Sequence, residues 1–216
     1  MQRFQSLLAF VTIGLGLALA APAKAQDPVR EVVAFGDSLS AGYGVGPGES
    51  FPEQLQAALN AAGHPARVVN AGVSGDTTTG GLARLDWSVP ASADVVIVEL
   101  GANDALRGVS PDVTRANLDA ILEKLTARPN TQVLLAGMLS PPNMGPDYAA
   151  RFNPIYAELA AKHDVPLYPF FLEGVAGDGA LNQRDYMHPN AQGVAVIVKG
   201  ILPQVIEALE TSAAQG

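Results

Sequence analysis

Three features of the chain predict a three-layer α/β domain, with a mainly parallel sheet between two layers of helices. Short runs rich in Val, Ile and Leu recur along it: Glu31 to Phe35, Ala66 to Asn70, Asp94 to Leu100, Gln132 to Met138 and Val165 to Tyr168. They are close to continuous in apolar residues, as expected of parallel strands covered on both faces. Longer segments with helical spacing separate them, so the order is β-α repeated about five times. No internal repeat, low-complexity linker or composition shift marks a second domain, and residues 26 to 216 read as one unit.

The N-terminal 25 residues have a different character. Arg3 precedes an apolar stretch from Leu7 to Ala21, and Ala23-Lys24-Ala25 then supplies small residues where a signal peptidase reads. This predicts a secretory signal peptide cleaved before Gln26. A membrane anchor is the competing reading, but a stretch broken by Thr12, Gly14 and Gly16 falls short of the roughly 20 apolar residues a spanning helix needs.

After the first strand run, Ser50-Phe51-Pro52-Glu53 has the pattern of a capping box, opening a helix through Leu55, Ala58 and Leu59 that Gly63 stops. Ser110-Pro111 opens another, with Val113, Leu118, Ile121, Leu122 and Leu125 on one face. Helices are also expected over Tyr148 to Lys162, interrupted near Pro154, and over Asn190 to Leu209, with a frayed tail after Glu210.

Composition narrows the function classes. The chain is 48% hydrophobic, enough for a substantial core, and carries 13 Lys plus Arg against 21 Asp plus Glu, a formal charge of -8. Without the leader, 11 basic residues face the same 21 acidic ones. That sign disfavours nucleic acid and anionic membranes as partners. The absence of Cys excludes disulfides, thiolate metal sites, thiol nucleophiles and a lipidated cysteine.

In such sheets ligands bind beyond the carboxyl ends of the strands. Gly36-Asp37-Ser38-Leu39-Ser40 follows the first run; small residues there let a serine hydroxyl be presented with its own N–H facing a developing oxyanion. Asp37 and Ser38 would equally serve as a helix cap and turn. Asn70 to Thr77 includes Gly72 and Gly75, which permit close backbone approach, and Gly101-Ala102-Asn103-Asp104 offers the Asn103 amide as a donor; each is also an ordinary loop sequence. Asp185-Tyr186-Met187-His188-Pro189 spaces a carboxylate to reach Nδ1 of an imidazole and leave Nε2 free to take a proton, although a cap beside a surface histidine has the same spelling. His64 and His163 sit at helix ends and are explained by the helix dipole, which leaves His188 as the candidate base. Ser74 misses the Gly-x-Ser-x-Gly pattern, and Ser40 is a lesser alternative to Ser38.

Taken in order, Gly36-Asp37-Ser38-Leu39-Ser40, Gly75 within Val73 to Asp76, Gly101 to Asp104 and Asp185-x-x-His188-Pro189 resemble the four blocks of the SGNH, or GDSL, hydrolases, most closely their periplasmic thioesterase, lysophospholipase and arylesterase branch. The resemblance implies a flavodoxin-like five-stranded sheet, Ser38 as nucleophile, His188 as base and Asp185 as its orienting partner. It also implies an oxyanion hole from the N–H groups of Ser38 and Gly75 and the side chain of Asn103. Asp104, Ala105, Leu106, Arg107, Gly108 and Val109 resemble the substrate-side loop of that branch. Ala102 stands where relatives often have Gly. The expected reaction is hydrolysis of small-molecule carboxylic esters or acyl thioesters through an acyl-enzyme, without metal or organic cofactor, in an exported protein that is periplasmic, as the resemblance implies, or secreted.

Rival readings are weaker. The histidines are scattered and no His-Glu-x-x-His motif exists, against a metal hydrolase; the glycines from Gly42 to Gly48 match no nucleotide-binding fingerprint. A carbohydrate O-deacetylase on the same scaffold is the nearest alternative, with Trp87 as the single tryptophan arguing against a sugar-stacking groove. A non-catalytic exported binding module is the rival from another class.

Overall fold

The computed structural model describes residues 29 to 215; the expected signal peptide lies outside the described residues. The chain runs β1 (Arg30–Gly36), α1 (Ser38–Ala41), α2 (Phe51–Ala61), β2 (Ala66–Gly72), α3 (Thr78–Ser88), β3 (Val95–Glu99), α4 (Ala102–Leu106), α5 (Pro111–Thr126) and β4 (Gln132–Ala136). A single 3-10 turn, Pro142–Met144, leads to α6 (Pro146–Phe152), α7 (Ile155–His163), β5 (Leu167–Tyr168) and α8 (Ala191–Gln215). The sheet has the order β2-β1-β3-β4-β5 with every pair parallel, so the chain reverses direction across the sheet between β1 and β3. Helices flank it in a three-layer α/β/α arrangement, as the sequence predicts.

Burial follows strand position. β3 is buried throughout and β1 nearly so, whereas the edge strand β2 is half-exposed and carries Arg67 and Asn70. In α2, the Glu53 carboxylate accepts from the Ser50 N–H at 3.2 Å and from its hydroxyl at 2.6 Å, and Gly63 turns the chain at φ +83°. In α5 the buried stripe is Thr114, Leu118, Ile121, Leu122 and Leu125. Val113, expected on that face, is 43% exposed, because the four-residue step back from Leu118 falls on Thr114.

Two further expectations are corrected. Helix α3 is absent from the sequence reading because Gly80-Gly81 weakens its helical signal; Gly81 is there because a Cβ would lie 2.3 Å from Leu100 Cδ1, so the helix sits directly on the strand end. The tail after Glu210 is not frayed. Helix α8 continues to Gln215, with Ser212 buried and its hydroxyl donating to the Asn130 carbonyl at 3.3 Å. Val194, Ile197, Val198, Ile201, Val205, Ala208 and Leu209 form its buried face, which accounts for a helix apolar and long enough to cross a membrane.

Candidate active site

The site is assembled where β1, β2 and β3 end side by side, with Gly36 in register with Gly72 on one side and Glu99 on the other. Asp37 caps α1, its Oδ1 accepting from the Leu39 N–H at 3.0 Å, so Ser38 is the first residue of a short helix and is nearly buried. The tightness of this turn explains two glycines. A Cβ on Gly72 would lie 2.3 Å from the Ala41 nitrogen, and one on Gly36 would lie 2.3 Å from both Glu99 Oε2 and Ser40 Oγ.

Arg84 ties these strand ends together. It donates to the Gly36 carbonyl and to the Ala71 carbonyl, both at 2.8 Å, and to Asp76 Oδ2 at 2.6 Å, with its guanidinium over the Phe35 ring. Asp104 is fully buried and accepts from the Thr78 N–H, the Thr78 hydroxyl and the Thr114 hydroxyl. It therefore fixes the start of α3 against α5. Ala105 is buried as well, so within Asp104 to Val109 the exposed positions are Leu106, Arg107 and Gly108. Its first residues belong to α4 rather than to a loop. The segment's far end is held by the Tyr148 hydroxyl, which donates to the Val109 carbonyl at 2.8 Å, and Gly108 faces Met144 at the end of the 3-10 turn Pro142–Met144.

Ser38 Oγ lies 2.9 Å from His188 Nε2, and His188 Nδ1 lies 2.6 Å from Asp185 Oδ2. The other Asp185 oxygen accepts from the backbone N–H groups of Met187 and His188, both at 3.0 Å. These contacts lower the Asp185 carboxyl to about 2, the His188 N–H contributing most. Thus Asp185 is an anion aimed at one imidazole nitrogen while the other faces a hydroxyl. The Tyr43 ring packs on His188 with centroids 4.6 Å apart. Gln183 braces the same loop: its N–H donates to the His188 carbonyl, and its Nε2 donates to the Tyr43 and Pro189 carbonyls.

Asn103, at the start of α4, donates from Nδ2 to Asp37 Oδ2 at 2.9 Å, leaving its second amide hydrogen for another acceptor. Gly75 has φ +81°, and its carbonyl accepts from Arg107 Nη2 at 2.7 Å. Burial raises Asp37 to about 6, against the pull of the Leu39 N–H and the Asn103 amide. Glu99, wholly buried, is pushed well above the ordinary carboxyl range by desolvation and by the charge of Asp37.

Arg84, Glu99, Gln183 and Tyr43 also build the site, and none of them belongs to the motifs that the sequence singles out. Glu99 had a visible signal, a carboxyl closing the most apolar strand. The bonds of Gln183 and Tyr43 depend on how two distant loops meet, and no local pattern encodes that. Among the described residues, no group of three or more His, Asp or Glu side chains is placed to hold a metal ion.

A serine hydroxyl, an imidazole and a carboxylate in one hydrogen-bonded line, on a flavodoxin-like sheet, invite comparison with known hydrolases. The model of the GDSL-like Lipase/Acylhydrolase family matches residues 34–196. The chain belongs to this family. Its relatives include esterase TesA of Pseudomonas aeruginosa, 38% identical over 179 residues, which span 82% of this chain and 89% of that protein. Thioesterase 1/protease 1/lysophospholipase L1 of Escherichia coli K12 is 39% identical over 172 residues, 79% of this chain and 81% of that one. Among solved structures, the SGNH-hydrolase family esterase AlinE4 aligns with a TM-score of 0.71 and 49% identity, covering 85% of this chain and 98% of its own. As a GDSL-family member the protein is a hydrolase acting on ester bonds.

Proposed function

We propose that the protein is an exported serine hydrolase that cleaves carboxylic esters and acyl thioesters through an acyl-enzyme on Ser38, residues 26 to 216 forming the mature domain. The observation that carries this reading is the unbroken line from Ser38 Oγ through both nitrogens of His188 to Asp185. His188 Nε2 takes the Ser38 proton as Oγ attacks the acyl carbonyl. The N–H groups of Ser38 and Gly75 and the free amide hydrogen of Asn103 stabilise the oxyanion. The protonated imidazole then gives its proton to the departing alcohol or thiol, and Asp185 holds the tautomer and the positive charge. In the second half, water loses a proton to His188 and attacks the acyl carbon, the bond to Ser38 Oγ breaks as Oγ takes that proton back, and the acid is released.

Acyl groups rather than sugars are favoured by the exposed apolar side chains that follow successive strand ends: Tyr43, Val73, Leu106 and Leu139, with Met187 beside the base. Thioester cleavage is supported by the name of the Escherichia coli relative. Export rests on the leader pattern of residues 1 to 25.

The test is hydrolysis of short, medium and long nitrophenyl esters and an acyl thioester by residues 26 to 216, beside Ser38→Ala. Activity on medium or long chains that disappears in Ser38→Ala is expected. Acetyl-only activity would favour the deacetylase reading, and an undiminished rate in folded Ser38→Ala would overturn the mechanism.

A further inference from the structure

Beneath the reacting serine lies a carboxyl group that the mechanism above does not use. Glu99 closes β3, has no solvent exposure, and points Oε2 at the turn that carries Ser38. That oxygen accepts twice: from the backbone N–H of Asp37 at 3.2 Å and from the hydroxyl of Ser40 at 2.8 Å. Ser38 and Leu39 are the two residues between those donors. The fit is close enough that residue 36 must lack a side chain, since its Cβ would fall on Glu99 Oε2.

The charge state of this carboxyl follows from its surroundings. Arg84, the cation at the same strand ends, is bonded to Gly36, Ala71, Ser88 and Asp76 rather than to Glu99. Oε1 of Glu99 is buried and makes no hydrogen bond among the described residues. An anionic oxygen in that position would be strongly disfavoured, whereas a neutral acid can use one oxygen as a twofold acceptor and leave only a hydroxyl unpaired. Asp37 is the neighbour that carries negative charge, and its bonds to Leu39 and Asn103 are those of a carboxylate.

We propose that Glu99 is a positioning residue for the nucleophile, a neutral acceptor that clamps the backbone before Ser38 and the side chain after it, and so fixes where Oγ and the Ser38 N–H point. This rests on the reading of Ser38 as nucleophile. Positioning errors at a reacting atom are felt in rate more than in binding. Glu99→Leu removes both acceptor bonds and should lower kcat at least tenfold with KM changed less than threefold. The rate of covalent trapping of Ser38 by an organophosphate should fall in parallel. Glu99→Gln keeps an acceptor oxygen of the same reach and carries no charge, so it should restore kcat to within about threefold of the parent and leave the pH profile unchanged.

Full kcat in folded Glu99→Leu would overturn the proposal, as would Glu99→Gln being as slow as Glu99→Leu, which would mean that charge is what matters. If Glu99→Leu does not fold, Ser40→Ala decides. It deletes one of the two donors and should lower kcat several-fold at constant KM, and an unchanged kcat would overturn the clamp. Ser38→Ala, run alongside, separates the two ideas: a wild-type rate there defeats the functional reading itself, while an inactive Ser38→Ala beside a fully active Glu99→Leu defeats only the inference about Glu99.

Discussion

The turn that carries Ser38, the proposed nucleophile, and the loop that carries His188, the proposed base, are held in opposite ways. The turn is fixed from far away in sequence: Asp37 bonds to Glu99 and Asn103, 62 and 66 residues further along. Close glycine contacts and the Arg84 clamp bind it to the strands beneath. The base loop is fixed mostly by itself. Asp185 bonds to residues two and three positions ahead, its side chain is 32% exposed, and Gln183 supplies the brace to the rest of the protein. Damage to the turn should therefore cost stability and rate together, and damage to the loop should cost chiefly rate, with only a small loss of stability.

The largest effects test the loop half of that contrast. His188→Ala should lower kcat by about 10⁴–10⁶. Its melting temperature should stay within about 5 °C of the parent, because the loop keeps its own backbone bonds to Asp185 when the partly buried ring is removed. Asp185→Asn should lower kcat by about 10⁴, since an amide favours the wrong imidazole tautomer. Steady-state kinetics beside thermal denaturation would settle both, and a melting temperature lowered by more than about 5 °C in either variant would break the comparison.

Asn103→Ala probes the other half. Loss of this proposed oxyanion donor should cost about 10²–10³ in kcat. The same amide also satisfies the buried Asp37 carboxylate, so stability should drop by about 1–3 kcal/mol. A rate loss without a stability loss would show that the Asn103–Asp37 bond contributes little to holding the turn. Gly36→Ala should destabilise by about 1–3 kcal/mol through overpacking against Glu99 and Ser40. Urea denaturation would measure it, and a stability unchanged from the parent would mean that the turn yields more readily than its contacts imply.

The same contrast governs what could be read from the sequence. The five strands are legible because central parallel strands must be apolar throughout, and the junction motifs because the chemistry they suggest needs Ser, Asn, Asp and His at strand ends. The structure brings Ser38, Asp185 and His188 into hydrogen-bond contact and sets Asn103 beside Asp37. What escaped is long-range. Helix α3 was hidden by Gly80-Gly81, whose value lies in what Gly81 touches. Asp104 reads as a loop residue until Thr78 and Thr114 are seen to enclose it. The end of α8 is buried because Ser212 meets Asn130, 82 positions away in the chain.

The smallest effect separates the two aspartates by pH. Asp37, raised to about 6, keeps in the folded chain a proton that the unfolded chain releases near 4. Its contribution to stability is therefore full below about pH 4 and declines as pH rises to about 6. Asp185, lowered to about 2, contributes with the opposite sign: its stabilisation is present above about pH 4 and is lost as pH falls towards 2. Partial exposure to water makes the Asp185 effect the weaker of the two. The melting temperature of Asp37→Asn relative to the parent should thus climb between pH 4 and 7, because only the parent must bury a charge over that range. The deficit of Asp185→Asn should instead shrink between pH 4 and 3. A constant offset for Asp37→Asn across pH 4 to 7 would mean that its carboxyl titrates as it does in water, and that the nucleophile turn is less sealed from solvent than the base loop contrast requires.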